Sequence, residues 1–125
     1  MANPELIKSF IAEAAVNPFR IVKLGAADGQ VVQGAAATDA LIGVADSLGQ
    51  TTIADRVDVI MSGIADVEFG GAVTRGALIT ADANGKAVVA APAAGVNNRI
   101  IGFALVSGVL GDIGSIMVEQ GSIQG

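Results

Sequence analysis

The chain has 125 residues, 52% of them apolar and 15% charged, with a net charge of −5 and neither histidine nor cysteine. That length suits a single domain with a buried core. The missing side chains exclude disulfides, thiolate or imidazole metal sites and any Ser-His-Asp triad. The seven Lys and Arg residues are scattered and no Tyr or Trp is present, so a clustered phosphate-binding footprint with stacking aromatics is missing as well.

The first eighteen residues read as an N-terminal arm, and residues 19–125 as a β domain. In the arm, Asn3-Pro4-Glu5 suits a helix start. Leu6, Ile7, Phe10 and Ile11 fall at helical spacing, but they serve equally as anchors of an extended segment. These four apolar residues are the candidate contacts of the arm, either on its own domain or on a neighbouring subunit. Asn17-Pro18 ends the segment.

Short β-branched runs follow. Phe19 to Leu24 and Leu41 to Ala45 read as strands, with Asp28-Gly29 as a hairpin turn between apolar stretches. From Arg56 to Phe69, odd positions are apolar or small (Val57, Val59, Met61, Gly63, Ala65, Val67, Phe69). Even positions carry Arg56, Asp58, Ser62, Asp66 and Glu68, with Ile60 and Ile64 as exceptions. This period of two predicts a long strand with one buried face, bent at Gly63. Gly70-Gly71 closes it. Leu78-Ile79-Thr80 and Ala87-Val88-Val89 flank Asn84-Gly85, a pair that favours a type I′ hairpin. A loop from Ala90 to Asn98 leads to the last strands, Ile100 to Val106 and Ile113 to Glu119. The longest apolar run, Ile100 to Leu110, falls well short of the ~20 residues a membrane helix needs. Ile42-Gly43-Val44-Ala45 recurs as Ile101-Gly102-Phe103-Ala104, a short internal echo. The expected fold is mainly β, a small antiparallel β-barrel or sandwich with an N-terminal arm.

Candidate chemistry is sparse. Asp66 and Glu68 share the wet face of the long strand, roughly 6–7 Å apart, without aromatic platforms or further polar groups beside them. Asp82-Ala83-Asn84-Gly85-Lys86 begins like a calcium loop but lacks the later ligands, so a hairpin turn is the better reading. No catalytic residue, cofactor or metal site is expected, and the protein is read as no enzyme. Low charge instead points to a surface covered by a protein partner.

Taken in order, Arg20-Ile21-Val22-Lys23-Leu24, Asp39-Ala40-Leu41-Ile42-Gly43-Val44-Ala45, the Arg56–Ala65 run, Gly70-Gly71-Ala72-Val73-Thr74-Arg75-Gly76, the Leu78–Val88 hairpin with Thr80-Ala81-Asp82 and Gly85-Lys86, Ile101-Gly102-Phe103-Ala104-Leu105 and Gly111-Asp112-Ile113-Gly114-Ser115-Ile116 resemble phage capsid cement, or head decoration, proteins of the DUF2190-like type. The resemblance spans residues 19 to 119. It implies a β domain, homotrimeric, made in the host cytoplasm and placed on the outer face of the virion, where it bridges and reinforces major capsid proteins. It implies that residues 1 to 18, through Leu6, Ile7, Phe10 and Ile11, reach the capsid or a neighbouring subunit; no nucleic-acid or membrane partner is expected. The competing readings are a β-rich tail or baseplate component, and a host- or carbohydrate-binding module.

Overall fold

The computed structural model describes residues 3–46 and 55–125. Nine strands account for most of them: β1 (Asn3–Ala12), β2 (Ile21–Leu24), β3 (Gln30–Gln33), β4 (Leu41–Ala45), β5 (Arg56–Glu68), β6 (Leu78–Ala81), β7 (Ala87–Val89), β8 (Asn97–Ala104) and β9 (Ile113–Gln124). The all-β expectation holds. The N-terminal segment is extended. It lies on its own domain as β1, antiparallel to β5 with Ile7 opposite Ile60 and Phe10 opposite Val57. On its other flank it runs parallel to β3, through Ile11 and Ala12.

These pairings make two closed circuits that share β5. The first runs β1–β3–β2–β4–β5 and returns to β1. The second runs β5–β9–β8–β6–β7 and is closed by a parallel bridge from Phe69 to Ala87. The two are successive copies of one plan. Ala12 pairs with Val31 in the first as Phe69 pairs with Ala87 in the second. Ile21 faces Val44 as Leu78 faces Phe103, and Val22 faces Gly43 as Ile79 faces Gly102. The loop hydrogen bonds repeat too: Ala12 N–H to Asp55 O and Phe69 N–H to Asp112 O, Ala45 N–H to Arg20 O and Ala104 N–H to Ala77 O. The offset is 57 residues along most of the unit (Ala12 to Phe69, Asp55 to Asp112), 56 from β3 to β7 (Val31 to Ala87) and 59 along β4 and β8 (Gly43 to Gly102).

The cores repeat in the same way. Phe10, Ala12, Val16, Val22, Val31, Ala45 and Val59 fill the first unit. Their counterparts Val67, Phe69, Val73, Ile79, Ala87, Ala104 and Ile116 fill the second. Alternation along β5 points Val57 and Val59 into the first unit and Ala65 and Val67 into the second. Ile60 breaks the apolar–polar alternation because its face of the strand is buried as well. It joins Ile21, Leu41 and Val44 in the second unit's cluster, so these four seal the junction between units. Removing that much apolar surface from water is the dominant stabilising term.

The short echo noted in the sequence now has a cause. A Cβ on Gly43 would run into the carbonyl of Ile60, and a Cβ on Gly102 into the carbonyl of Met117, the equivalent atom 57 residues on. Only glycine lets β4 and β8 cross so close to the next strand. Gly63, with φ +92°, lies where β1 slips register between Pro4 and Ile7, the bend expected there.

One turn differs from expectation. Asn84 is not left-handed; only Gly85 is, at φ +73°. The Asp82 carboxylate accepts the N–H groups of Asn84 (2.8 Å) and Lys86 (2.9 Å), and Gly85 N–H reaches Asp82 O. This is a turn followed by a left-handed glycine rather than a type I′ pair. Phe19, at φ +61°, is the one non-glycine residue with positive φ among the described residues, and it holds the turn position that Gly76 holds in the second unit.

Candidate interaction surface

The polar groups singled out in the sequence are engaged in holding the fold. Asp66 accepts a hydrogen bond from Ser115 Oγ at 3.0 Å. Glu68 joins the two units: one oxygen meets Arg20 at 3.1 Å and the other meets Lys86 at 3.1 Å. The hydrogen bond from Lys86 holds the Glu68 carboxyl below its ordinary range, with Arg20 adding to it against the opposing effect of burial. Asp82 is occupied by its own turn. Among the described residues no group of three or more His, Cys, Asp or Glu side chains is placed to hold a metal ion.

The four candidate contacts on β1 separate. Phe10 is 7% exposed and belongs to the first unit's core, with Lys8 Nζ over its ring at 5.4 Å. Leu6, Ile7 and Ile11 are open, Leu6 most of all at 52%. Strand spacing explains Ile7 and Ile11; Leu6 shares the parity of Phe10 but lies where β1 slips register against β5. Phe10 and Ala12 point inward together, whereas Ile11 points the other way.

A second apolar surface was not singled out in the sequence. Between β8 and β9 the chain turns through residues 105–112, and Val106, Val109, Leu110 and Ile113 stand in solvent there. Leu110, at 67%, is the most exposed large apolar side chain described. The backbone beneath them is firmly held. Gly108 and Val73 exchange two hydrogen bonds of 2.9 Å. Phe69 N–H reaches Asp112 O at 2.7 Å, and Gly111 N–H returns to Phe69 O at 3.0 Å. The Asp112 carboxylate accepts Val109 N–H at 2.9 Å, and Ser107 Oγ accepts Arg75 N–H at 2.9 Å. Gly108 lies flat on the Phe69 ring, where a Cβ would come within 2.7 Å of it.

A loop pinned at this many points loses little further freedom when its apolar tips meet a partner. The available signal was the pair Val109-Leu110 between two glycines: apolar residues at a turn tip, where polar ones are usual.

The N base of head fiber gp8.5 of bacteriophage phi29 superposes on this chain with a TM-score of 0.67, over 91% of this chain and 93% of that one, at 16% identity. The chain has the fold of a phage head-fiber base. At 91% of this chain, the match includes residues of both units. No family model matches the sequence, the cement-protein family included, and no curated protein does.

Proposed function

We propose that this protein is a structural component of a phage head. In this reading it sits on the outer shell as a homotrimer, bridges and reinforces major capsid proteins, and carries out no catalysis. The observation that carries the reading is the likeness of fold to the fiber base over nearly the whole of both chains. The order of motifs shared with cement proteins points the same way. The rigid apolar tips at Val109 and Leu110 supply the means of attachment, and many weak contacts acting together hold a repeated shell component firmly. The commitment of Glu68, Asp66 and Asp82 to ion pairs and turns fits a structural role.

The test is co-sedimentation of purified protein with expanded heads that lack it. Saturable binding at a fixed ratio to the capsid subunit is expected. Leu110→Asp should weaken it about tenfold or more while leaving the far-UV spectrum unchanged, because a contact centre tolerates a charge poorly. Absence of binding by the wild-type chain sinks the reading. Undiminished binding by a Val109→Asp/Leu110→Asp double variant removes this loop from the contact.

A further inference from the structure

The junction inside the chain has two sides, and each side has an unused twin. On one side, Ile21, Leu41, Val44 and Ile60 project outward from the first unit. On the other, the second unit offers Ala65, Ala81, Ile101 and Val118, all at most 4% exposed. Together the eight form part of one continuous cluster. The rim is stitched by Ile21 N–H to Gly85 O at 2.8 Å, Arg99 N–H to Ala37 O at 2.7 Å, and the Arg20–Glu68 pair.

Moving along the repeat gives the twins. The second unit's outward face carries Leu78, Ile100, Phe103 and Met117 in place of Ile21, Leu41, Val44 and Ile60. Leu78 is 36% exposed, and the other three are only half-buried. Every one is apolar, although no described residue covers them as their twins are covered. The first unit's corresponding opening carries Lys8, Leu24, Ile42 and Met61 in place of the four buried residues. Leu24 is 51% exposed, and Ile42 and Met61 are only partly buried against the core. Lys8, Leu24 and Met61 are larger than their twins, and Lys8 and Leu24 stand in solvent.

We infer that the outward face of the second unit docks into the opening of the first unit of another copy of this chain, with these side chains meeting as their twins meet within one copy but without a shared strand. The occupant is named by continuity: the face that fits such an opening is already seen once, and its twin lies on this same protein. A contact between two different surfaces of identical copies is head-to-tail, and it closes into a ring when the rotation allows. It deepens the homotrimer part of the proposed function by giving the contact surfaces, but it is measured on free protein, without heads. Failure of head binding and failure of self-association are therefore separate results.

The experiment is sedimentation equilibrium of the full chain and of two charge variants. Phe103→Glu spoils the outward face and leaves the opening intact; Leu24→Glu does the reverse. Wild type should form a discrete oligomer. Each variant should associate about 100-fold more weakly, a loss typical of burying an unpaired charge at a contact. Mixed in equal amounts, the two variants should pair as a 1:1 dimer through their remaining intact surfaces. Circular dichroism and melting report folding, and Leu78→Glu, on an already exposed side chain, replaces Phe103→Glu if that variant is unfolded. A monomeric wild type would overturn the inference. Oligomers that persist in either variant, or variants that fail to complement, would overturn it in favour of a symmetric contact elsewhere.

Discussion

The ring of Phe69 occupies the space that a side chain on Gly114 would need. In the first unit the same two positions hold Ala12 and Val57, both buried. The two copies of the plan therefore fill one site in opposite ways, large against absent and small against medium. Phe69→Ala should cost about 3–5 kcal/mol by leaving a cavity. Gly114→Val should cost a further 1–3 kcal/mol or more by overpacking. Phe69→Ala/Gly114→Val, which rebuilds the first unit's pair, should recover part of both losses. Chemical denaturation of the four proteins closes the cycle, and simple additivity would show that the two positions do not share the space.

Gly43 and Gly102 should both resist substitution. Each faces the carbonyl of a neighbouring strand, so Gly43→Ala forces β4 away from β5. Gly102→Ala adds an unfavourable backbone, at φ +147°. Both should lower the melting temperature, Gly102→Ala by more. Equal and small shifts would show that the strands separate at little cost.

Thr80 is 2% exposed, and among the described residues its hydroxyl has no hydrogen-bond partner. Burying an unpaired hydroxyl is unfavourable. Thr80→Val keeps the shape and removes the polar atom. It should stabilise the protein by about 1 kcal/mol, read as a rise in denaturation midpoint with an unchanged denaturant slope. A fall in the midpoint would mean that the hydroxyl is satisfied in solution.

The Arg20–Glu68–Lys86 group gives an acid-side pH dependence. Lys86 and Arg20 hold Glu68 below its ordinary value of 4.5, so the folded state favours the ionised carboxylate. Its contribution is complete above that value and is lost as pH falls through the lowered folded value. Asp39 behaves alike: burial works against its ionisation but is outweighed by the N–H groups of Ala35 and Ala36 and by Lys23. Melting temperature should therefore drop with acidification below pH 4.5. Glu68→Gln should be less stable at neutral pH by about 1–3 kcal/mol, since Arg20 then loses its charged partner, and should lose less on acidification. A parallel curve for the variant would assign the acid loss to other carboxylates.

How much of this was legible in the sequence depended on locality. β5 could be read because its alternation is a property of one segment, and β4 and β7 because turn residues bracket them. β1 could not be decided, since Leu6, Ile7, Phe10 and Ile11 suit a helix as well as a strand. What selects the strand is β5, some fifty residues away in the chain. The duplication was nearly hidden, because core positions tolerate exchange of size between partners: Ala12 became Phe69 and Val31 became Ala87. Identity survives at scattered positions such as Val16 and Val73 or Asp55 and Asp112, and gathers into a visible echo around Gly43 and Gly102, where backbone meets backbone. The turn at Asn84-Gly85 was misread because the carboxylate of Asp82, two residues before Asn84, dictates its geometry.

Most tandem proteins join their units by a linker, which bends first under load. Here one strand is a wall of both units: β5 is bonded to β1 and β4 over its first half and to β9 over its second. A pull applied at one unit is resisted in shear along a continuous backbone before it reaches the other. Neither unit can be cut away without stripping the other of a side. The pair should therefore melt in one step and act mechanically as a single stiff strut.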